Sequence, residues 1–149
     1  MTVALLDVNI LLALSWPNHE HHPVVKAWFD READHGWATC MLTQLGFVRL
    51  SANPAFSPNP VTPEEAVRIL RNNLTHPHHQ YWNVTPVCQP EWFRIARGHQ
   101  QVTDAGLIET AKYHGGRIVT LDRRMTVLDP SGVLVEVLDP HSTAHHISK

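Results

Sequence analysis

The stretch VALLDVNILLAL, residues 3–14, sets a single charge, Asp7, in a run that is otherwise apolar apart from Asn9. Burying a lone carboxylate is unfavourable, so its position needs a reason. Residues 2–6, TVALL, read as a short buried strand, and residues 8–14 as a short helix that Asp7 can cap. Asp7 then stands at the carboxyl end of a strand. In open α/β sheets, sites form beyond that edge.

Outward from this stretch the chain alternates strands and helices. PVVKAWFDREAD (23–34) has helical spacing, with Val25, Trp28 and Phe29 on one face. GWATC (36–40) is a second strand, and LTQLGFVRLSANP (42–54) is helical up to Asn53–Pro54. After a Pro-rich loop at 54–61, TPEEAVRILRNNL (62–74) opens with a capping box: Thr62 caps, Pro63 takes the first helical position and Glu65 reaches back. YWNVTPV (81–87) predicts a third strand and EWFRIARG (91–98) a helix. TDAGLIETAKYHGG (103–116) predicts a helix with a Gly-Gly stop. RIVTLD (117–122) is a buried strand ending in a carboxylate, VLVEVLD (133–139) is the last strand, and the tail from Pro140 is expected to fray. The alternation predicts one α/β domain over residues 1–139, a mostly parallel sheet covered by helices on both faces.

Composition bounds the function. With 149 residues, 43% hydrophobic and 17% charged, the chain can build one real core and is not of disordered type. The formal net charge of -2 provides no global basic field, so nucleic-acid binding would need a local basic patch or a phosphate-bridging metal. MTVALLD has no basic leader and is interrupted by Asp7, which predicts neither signal peptide nor membrane span but a cytoplasmic protein. The two cysteines, Cys40 and Cys88, form no zinc or disulfide pattern and read as buried thiols. The 12 histidines bunch at 18–23, 75–80 and 141–146. Metal binding or pH sensing is one reading. Polar filler beside prolines is preferred.

Asp7 and Asp122 end strands, and Asp104 opens a helix that can face the same edge. Each alone has a plainer explanation: an N-cap, a helix-dipole partner or a turn residue. Together they form a carboxylate cluster, which repels itself unless a cation intervenes. A hard divalent ion with oxygen ligands, Mg²⁺ or Mn²⁺, resolves that conflict and can activate water.

The segments LLDVNILLAL, TQLGFVRL and QVTDAGLIETAKYHGGRIVTLDRR, in this order, resemble PIN-domain nucleases, above all the VapC toxins of bacterial toxin–antitoxin pairs. The resemblance runs from about residue 2 to about residue 138. It implies a three-layer α/β/α sandwich, Mg²⁺-dependent endoribonuclease activity leaving 5′-phosphate and 3′-hydroxyl ends, a homodimer, and inhibition by a cognate antitoxin. The family's metal-site acids map onto Asp7, Asp104 and Asp122. Asn9 matches its recurrent DxN and is expected to brace Asp7, with Thr120 as a supporting hydroxyl. Many members carry a glutamate in the helix after the second strand, and the matching place here is Gln44. Glu109 is an alternative contributor, although a solvated surface role suits it better.

RNA would be gripped by cations in or near these motifs: Arg49, Lys112, Arg117, Arg123 and Arg124. Exposed aromatics could stack unpaired bases, but of the five tryptophans Trp28 and Trp92 have core-like spacing, and Trp16 and Trp82 read equally as core or as stacking residues. Two rivals stand beside the nuclease reading. One is an inactive PIN-like binding module, given Gln44. The other is a phosphatase with Asp7 as nucleophile, which would want a second acid where this chain has Asn9.

Overall fold

The computed structural model describes residues 1–139. The strands are β1 (Ala4–Leu6), β2 (Trp37–Thr39), β3 (His79–Tyr81), β4 (Arg117–Thr120) and β5 (Val135–Val137). They form one sheet of order β3-β2-β1-β4-β5, parallel at every junction. β1 is central: Ala4 pairs with Trp37 on one side and Arg117 on the other. All three of its residues are buried, as a strand covered on both faces requires.

The helices are α1 (Val8–Ser15), α2 (His22–Glu32), α3 (Met41–Ser51), α4 (Pro63–Leu74) and α5 (Val102–Tyr113). Strand alternation divides the core into two layers. Ala4, Leu6, Trp37 and Val119 pack with Ile10, Val25, Phe47 and Leu70 of α1–α4. Leu5, Ala38 and Ile118 pack with Leu107, Ile108 and Ala111 of α5. The result is the expected three-layer α/β/α arrangement. Leu5, Leu6, Ile10 and Leu11, which flank Asp7, are at most 2% exposed. Each such burial is worth about 1.5–3 kcal/mol, enough to hold a carboxylate where it would not choose to sit.

Half of the expected capping box of α4 forms: Thr62 Oγ1 accepts from the Glu65 amide at 3.2 Å, but the Glu65 carboxylate reaches back to the Thr62 hydroxyl, at 3.2 Å, and not to its backbone N–H. The chain after α5 turns at Gly115 with φ +68, a left-handed conformation suited to glycine.

Several expectations need correction. The third strand is His79–Tyr81, not 81–87: the Trp82 amide makes a last bond to β2, donating to the Thr39 carbonyl at 2.8 Å, and its side chain packs among the α5 residues and stacks on His114, with ring centroids 4.3 Å apart. Residues 91–98 form no α-helix. Only a 3₁₀ turn, Pro90–Phe93, appears, and it has no buried residue to anchor it. Trp92 accordingly lies half-buried at the surface and not in the core. Of the cysteines, Cys40 is buried but Cys88 is exposed. His76 and His79 pack around Trp37, at 5.8 and 4.6 Å between ring centroids. The expected frayed tail and the 141–146 histidines lie outside the described residues. No helix among the described residues is long and apolar enough to cross a membrane.

The topology determines where a site can form. The chain builds β1, β2 and β3 outward in one direction, then returns through α5 to set β4 on the other side of β1. The switch in direction falls between β1 and β4, and the crevice beyond their carboxyl ends is the binding position of such sheets.

Candidate active site

Asp7 follows β1 directly and caps α1, its Oδ1 accepting from the Val8 amide at 2.8 Å. Its other oxygen, Oδ2, accepts from Thr120 Oγ1 at 2.7 Å. Thr120 is the last residue of β4, so this bond ties together the two strand ends that frame the crevice. A hydroxyl has one proton to donate, and the short contact assigns it to Asp7. The same oxygen then accepts from Asn9 Nδ2 at 3.1 Å and from the Asp122 amide at 3.0 Å. Asn9 Oδ1 also accepts from the Leu121 amide at 3.1 Å. Asn9 therefore braces Asp7 through Thr120 and not by direct contact.

Asp104 lies in the first turn of α5. Burial, followed by repulsion from Asp7 and Asp122, pushes its carboxyl up to about 6, against the opposing pull of Arg124. Burial raises Asp7 as well, and Asp122 adds to the rise, while the bonds from Thr120 and Val8 oppose it. Asp122 moves the other way. Arg124 forks onto it, Nε to Oδ1 and a terminal nitrogen to Oδ2, both at 3.0 Å, and this holds its carboxyl below the ordinary range.

Asp104 and Asp122 line a cleft of about 1100 Å³. Its wall also carries Arg49, Arg97, His99 and Arg124. Of the five cations expected to grip RNA, Arg49 and Arg124 are in this cleft. Arg117 is not: it begins β4, at the opposite edge of the sheet, buried and paired with Glu136 at 2.8 Å. Arg123 pairs with Asp139 at 2.8 Å. Lys112 and Glu109 line a separate surface hollow with Trp92 and Tyr113. Arg97 is missed in sequence because residues 91–98 read as a helix, and His99 because it stands in the short link between that helix and the next. Their signal was their position just before the Asp104 helix.

Gln44 does not join the carboxylates. Its Nε2 donates to Thr39 Oγ1 at 3.0 Å, and Thr39 Oγ1 lies 2.8 Å from His79 Nε2. It lines a hollow between α3 and α4. The α3 residue that meets the start of α1 is Gly46, where a Cβ would come within 2.5 Å of Val8 Cγ2. The helix has no room there for an acidic side chain.

Among the described residues, no group of three or more His, Cys, Asp or Glu side chains is drawn together to hold a metal ion. Asp122 is held by Arg124. The remaining donor set is nevertheless of the right kind. Asp7 and Asp104 both resist ionisation, and a hard divalent cation relieves that resistance with oxygen ligands. The arrangement gives no support to Asp7 as a nucleophile: the position where that chemistry wants a second acid is Asn9, which is engaged with Thr120 and Leu121.

The family model described as PIN domain matches residues 4–129 of this parallel α/β/α fold, whose aspartates stand just past β1 and β4 and in the first turn of α5. Two relatives from Mycobacterium tuberculosis narrow the class. Ribonuclease VapC39 is 40% identical over 138 residues, covering 91% of this chain and 99% of that protein. Ribonuclease VapC38 is 40% identical over 120 residues, covering 80% and 85%. This chain belongs to the VapC family of PIN-domain proteins. Its fold matches a chain of VapBC2 from Rickettsia felis, crystallised with a DNA fragment from the promoter, at a TM-score of 0.62 and 12% identity, covering 92% of this chain and 99% of that one.

Proposed function

We propose that the protein is a metal-dependent endoribonuclease, the toxin of a toxin–antitoxin pair, working in the cytoplasm. The observation supporting this reading is Asp104, raised to about 6 by burial and by Asp7 and Asp122 at the sheet's switch point. Relatives named as ribonucleases give the substrate class. Asp7 and Asp104 would hold Mg²⁺ or Mn²⁺, and Asp122 would complete the acidic set on release from Arg124. A bound ion of this kind lowers the pKa of water and offsets charge developing on a phosphoryl oxygen. The chain supplies the rest. Thr120 and Asn9 keep Asp7 aimed, and Arg49, Arg97 and Arg124 bind the RNA phosphates flanking the scissile bond.

The partners proposed are a cognate antitoxin and a second copy of the chain. Exposed apolar residues of α3 (Met41 55%, Leu42 50%, Leu45 58%) support a protein-binding surface on that helix.

The test is cleavage of structured RNAs by purified protein free of antitoxin. Activity should require Mg²⁺ or Mn²⁺, vanish in EDTA and be lost in Asp7→Asn, an exchange that preserves size. Cleavage that persists in EDTA, or survives that exchange, would overturn the reading.

A further inference from the structure

Resting on the ribonuclease reading, we propose that the cavity beside the carboxylate cleft, walled by Trp16 and Phe56, takes one unpaired RNA base next to the cleaved phosphate. The cavity measures about 480 Å³ and lies between the end of α1 and the 53–59 loop. Leu12, Trp16, Leu50 and Phe56 provide apolar walls. Asn18 and Asn59 also line it, and an amide side chain offers a donor and an acceptor together, as the edge of a base does.

Three observations favour a base over other occupants. First, Phe56 lines both this cavity and the acidic cleft, so a strand lying in the cleft has a neighbouring base within reach of the cavity. Phe56 is 69% exposed, unusual for a phenyl ring with no ligand to cover it. Second, charge is divided between the two spaces. Arg49, Arg97 and Arg124 line the cleft, whereas the cavity has no arginine or lysine and is lined at one part by His19 and the carboxylate of Glu20. This matches a nucleotide whose phosphate stays on the basic side, away from Glu20, while its uncharged base enters among the apolar walls. Arg49 and Leu50, consecutive on α3, divide in the same way. Third, the Trp16 indole N–H is already satisfied, donating to Ser51 Oγ at 3.3 Å. That bond fixes a rigid aromatic wall, and base–aromatic stacking is a major source of single-strand affinity. A base paired in a duplex cannot enter such a cavity, so the protein should cut in loops or single strands.

The experiment uses an RNA hairpin that the wild-type protein cuts in its loop, prepared intact and with single abasic sites on either side of the cut. Phe56→Ala is the variant, chosen because Phe56 is exposed and contributes little to the core. In the wild type, one abasic position should lower kcat/KM on the order of ten-fold. Phe56→Ala should lower kcat/KM on the intact RNA by a similar factor and show no further loss on the abasic one. Equal kcat/KM for intact and abasic RNA in the wild type, or an unchanged abasic penalty in Phe56→Ala, overturns the proposal while leaving the nuclease reading in place. Loss of antitoxin inhibition in Phe56→Ala without any change in RNA cleavage would assign the cavity to a protein segment, and also overturns it. If the wild type cuts no RNA in Mg²⁺ or Mn²⁺, the nuclease reading itself fails. Titration with the four nucleoside 5′-monophosphates, read by NMR shifts of Trp16 and Phe56, then decides the cavity: saturable shifts support base binding and their absence overturns it.

Discussion

The Thr120 hydroxyl donates to Oδ2 of Asp7 at 2.7 Å and so joins the carboxyl ends of β4 and β1. Because the same oxygen accepts from Asn9 and from the Asp122 amide, one atom sets the position of two acids. Thr120→Val keeps the shape and removes all three bonds. We expect kcat/KM for RNA to fall 10- to 100-fold, as when the outer support of a metal ligand is lost. The fold should lose about 1–2 kcal/mol from the unpaired buried groups. Thr120→Ser should restore most of both. Kinetics and urea denaturation on the three proteins test this, and wild-type kinetics in Thr120→Val would refute the positioning role.

Asp104 predicts a pH dependence of stability in metal-free protein. Its carboxyl titrates at about 6 when folded, against 3.8 as a free side chain. Between these values the native state holds a proton that the unfolded state has released. As far as this group is concerned, stability is therefore at its full value below about pH 4, falls as pH rises from there through about 6, and is level above. The unscreened shift would amount to about 3 kcal/mol, but the side chain is half in solvent, so roughly 1 kcal/mol is the expected loss. Asp104→Asn should remove that loss, leaving the variant more stable than wild type at pH 7.5 in EDTA, yet inactive. Added Mn²⁺ should stabilise wild type and not the variant. Denaturant midpoints at pH 4 and 7.5, with and without metal, provide the measurement.

The acids were legible in sequence for a physical reason. A short buried strand that ends in a charge marks the carboxyl edge of a parallel sheet, and both Asp7 and Asp122 carry that mark. Position along a strand also carries information that residue type alone does not. Arg117 is in the same motif as Asp122 but starts the strand, which puts it at the far edge with Glu136. Helical phase hid Gln44 in the same way. It lies two residues from Gly46, about 200° around the helix, and so points away from the first turn of α1. Residues 82–101 were the least legible, because Pro86 and Pro90 leave the chain without a ladder or a buried helical face. The Arg97–Gln101 wall of the cleft was missed with them.

Arg124 holds Asp122 in a fork while almost wholly in solvent, its side chain 89% exposed. An exposed pair of this kind contributes little to the fold, so Arg124→Gln should leave the melting temperature unchanged. It should, however, separate two functions. With the competing cation gone, the Mn²⁺ concentration for half-maximal activity should fall. With a phosphate contact gone, KM for RNA should rise, and the slope of log KM against log salt should drop by about one. A weaker demand for Mn²⁺ alongside a poorer grip on RNA is the expected signature. An increased metal requirement would mean that Arg124 does not compete for Asp122.

The proposed self-association would use the exposed apolar side chains of α3. Met41, Leu42 and Leu45 lie on adjoining turns and are each at least half exposed, while Thr43, Gly46 and Phe47 face the core. The outer residues are therefore not needed to hold α3 in place. Leu45→Glu should turn a dimer into a monomer by light scattering while leaving the melting temperature of the monomer at high dilution unchanged. A charge buried without a partner at the centre of an interface is strongly unfavourable, so dissociation should weaken the dimer by at least 100-fold in Kd. A Leu45→Glu protein that remains dimeric at micromolar concentration would move the self-association surface off α3 and leave that face to another protein.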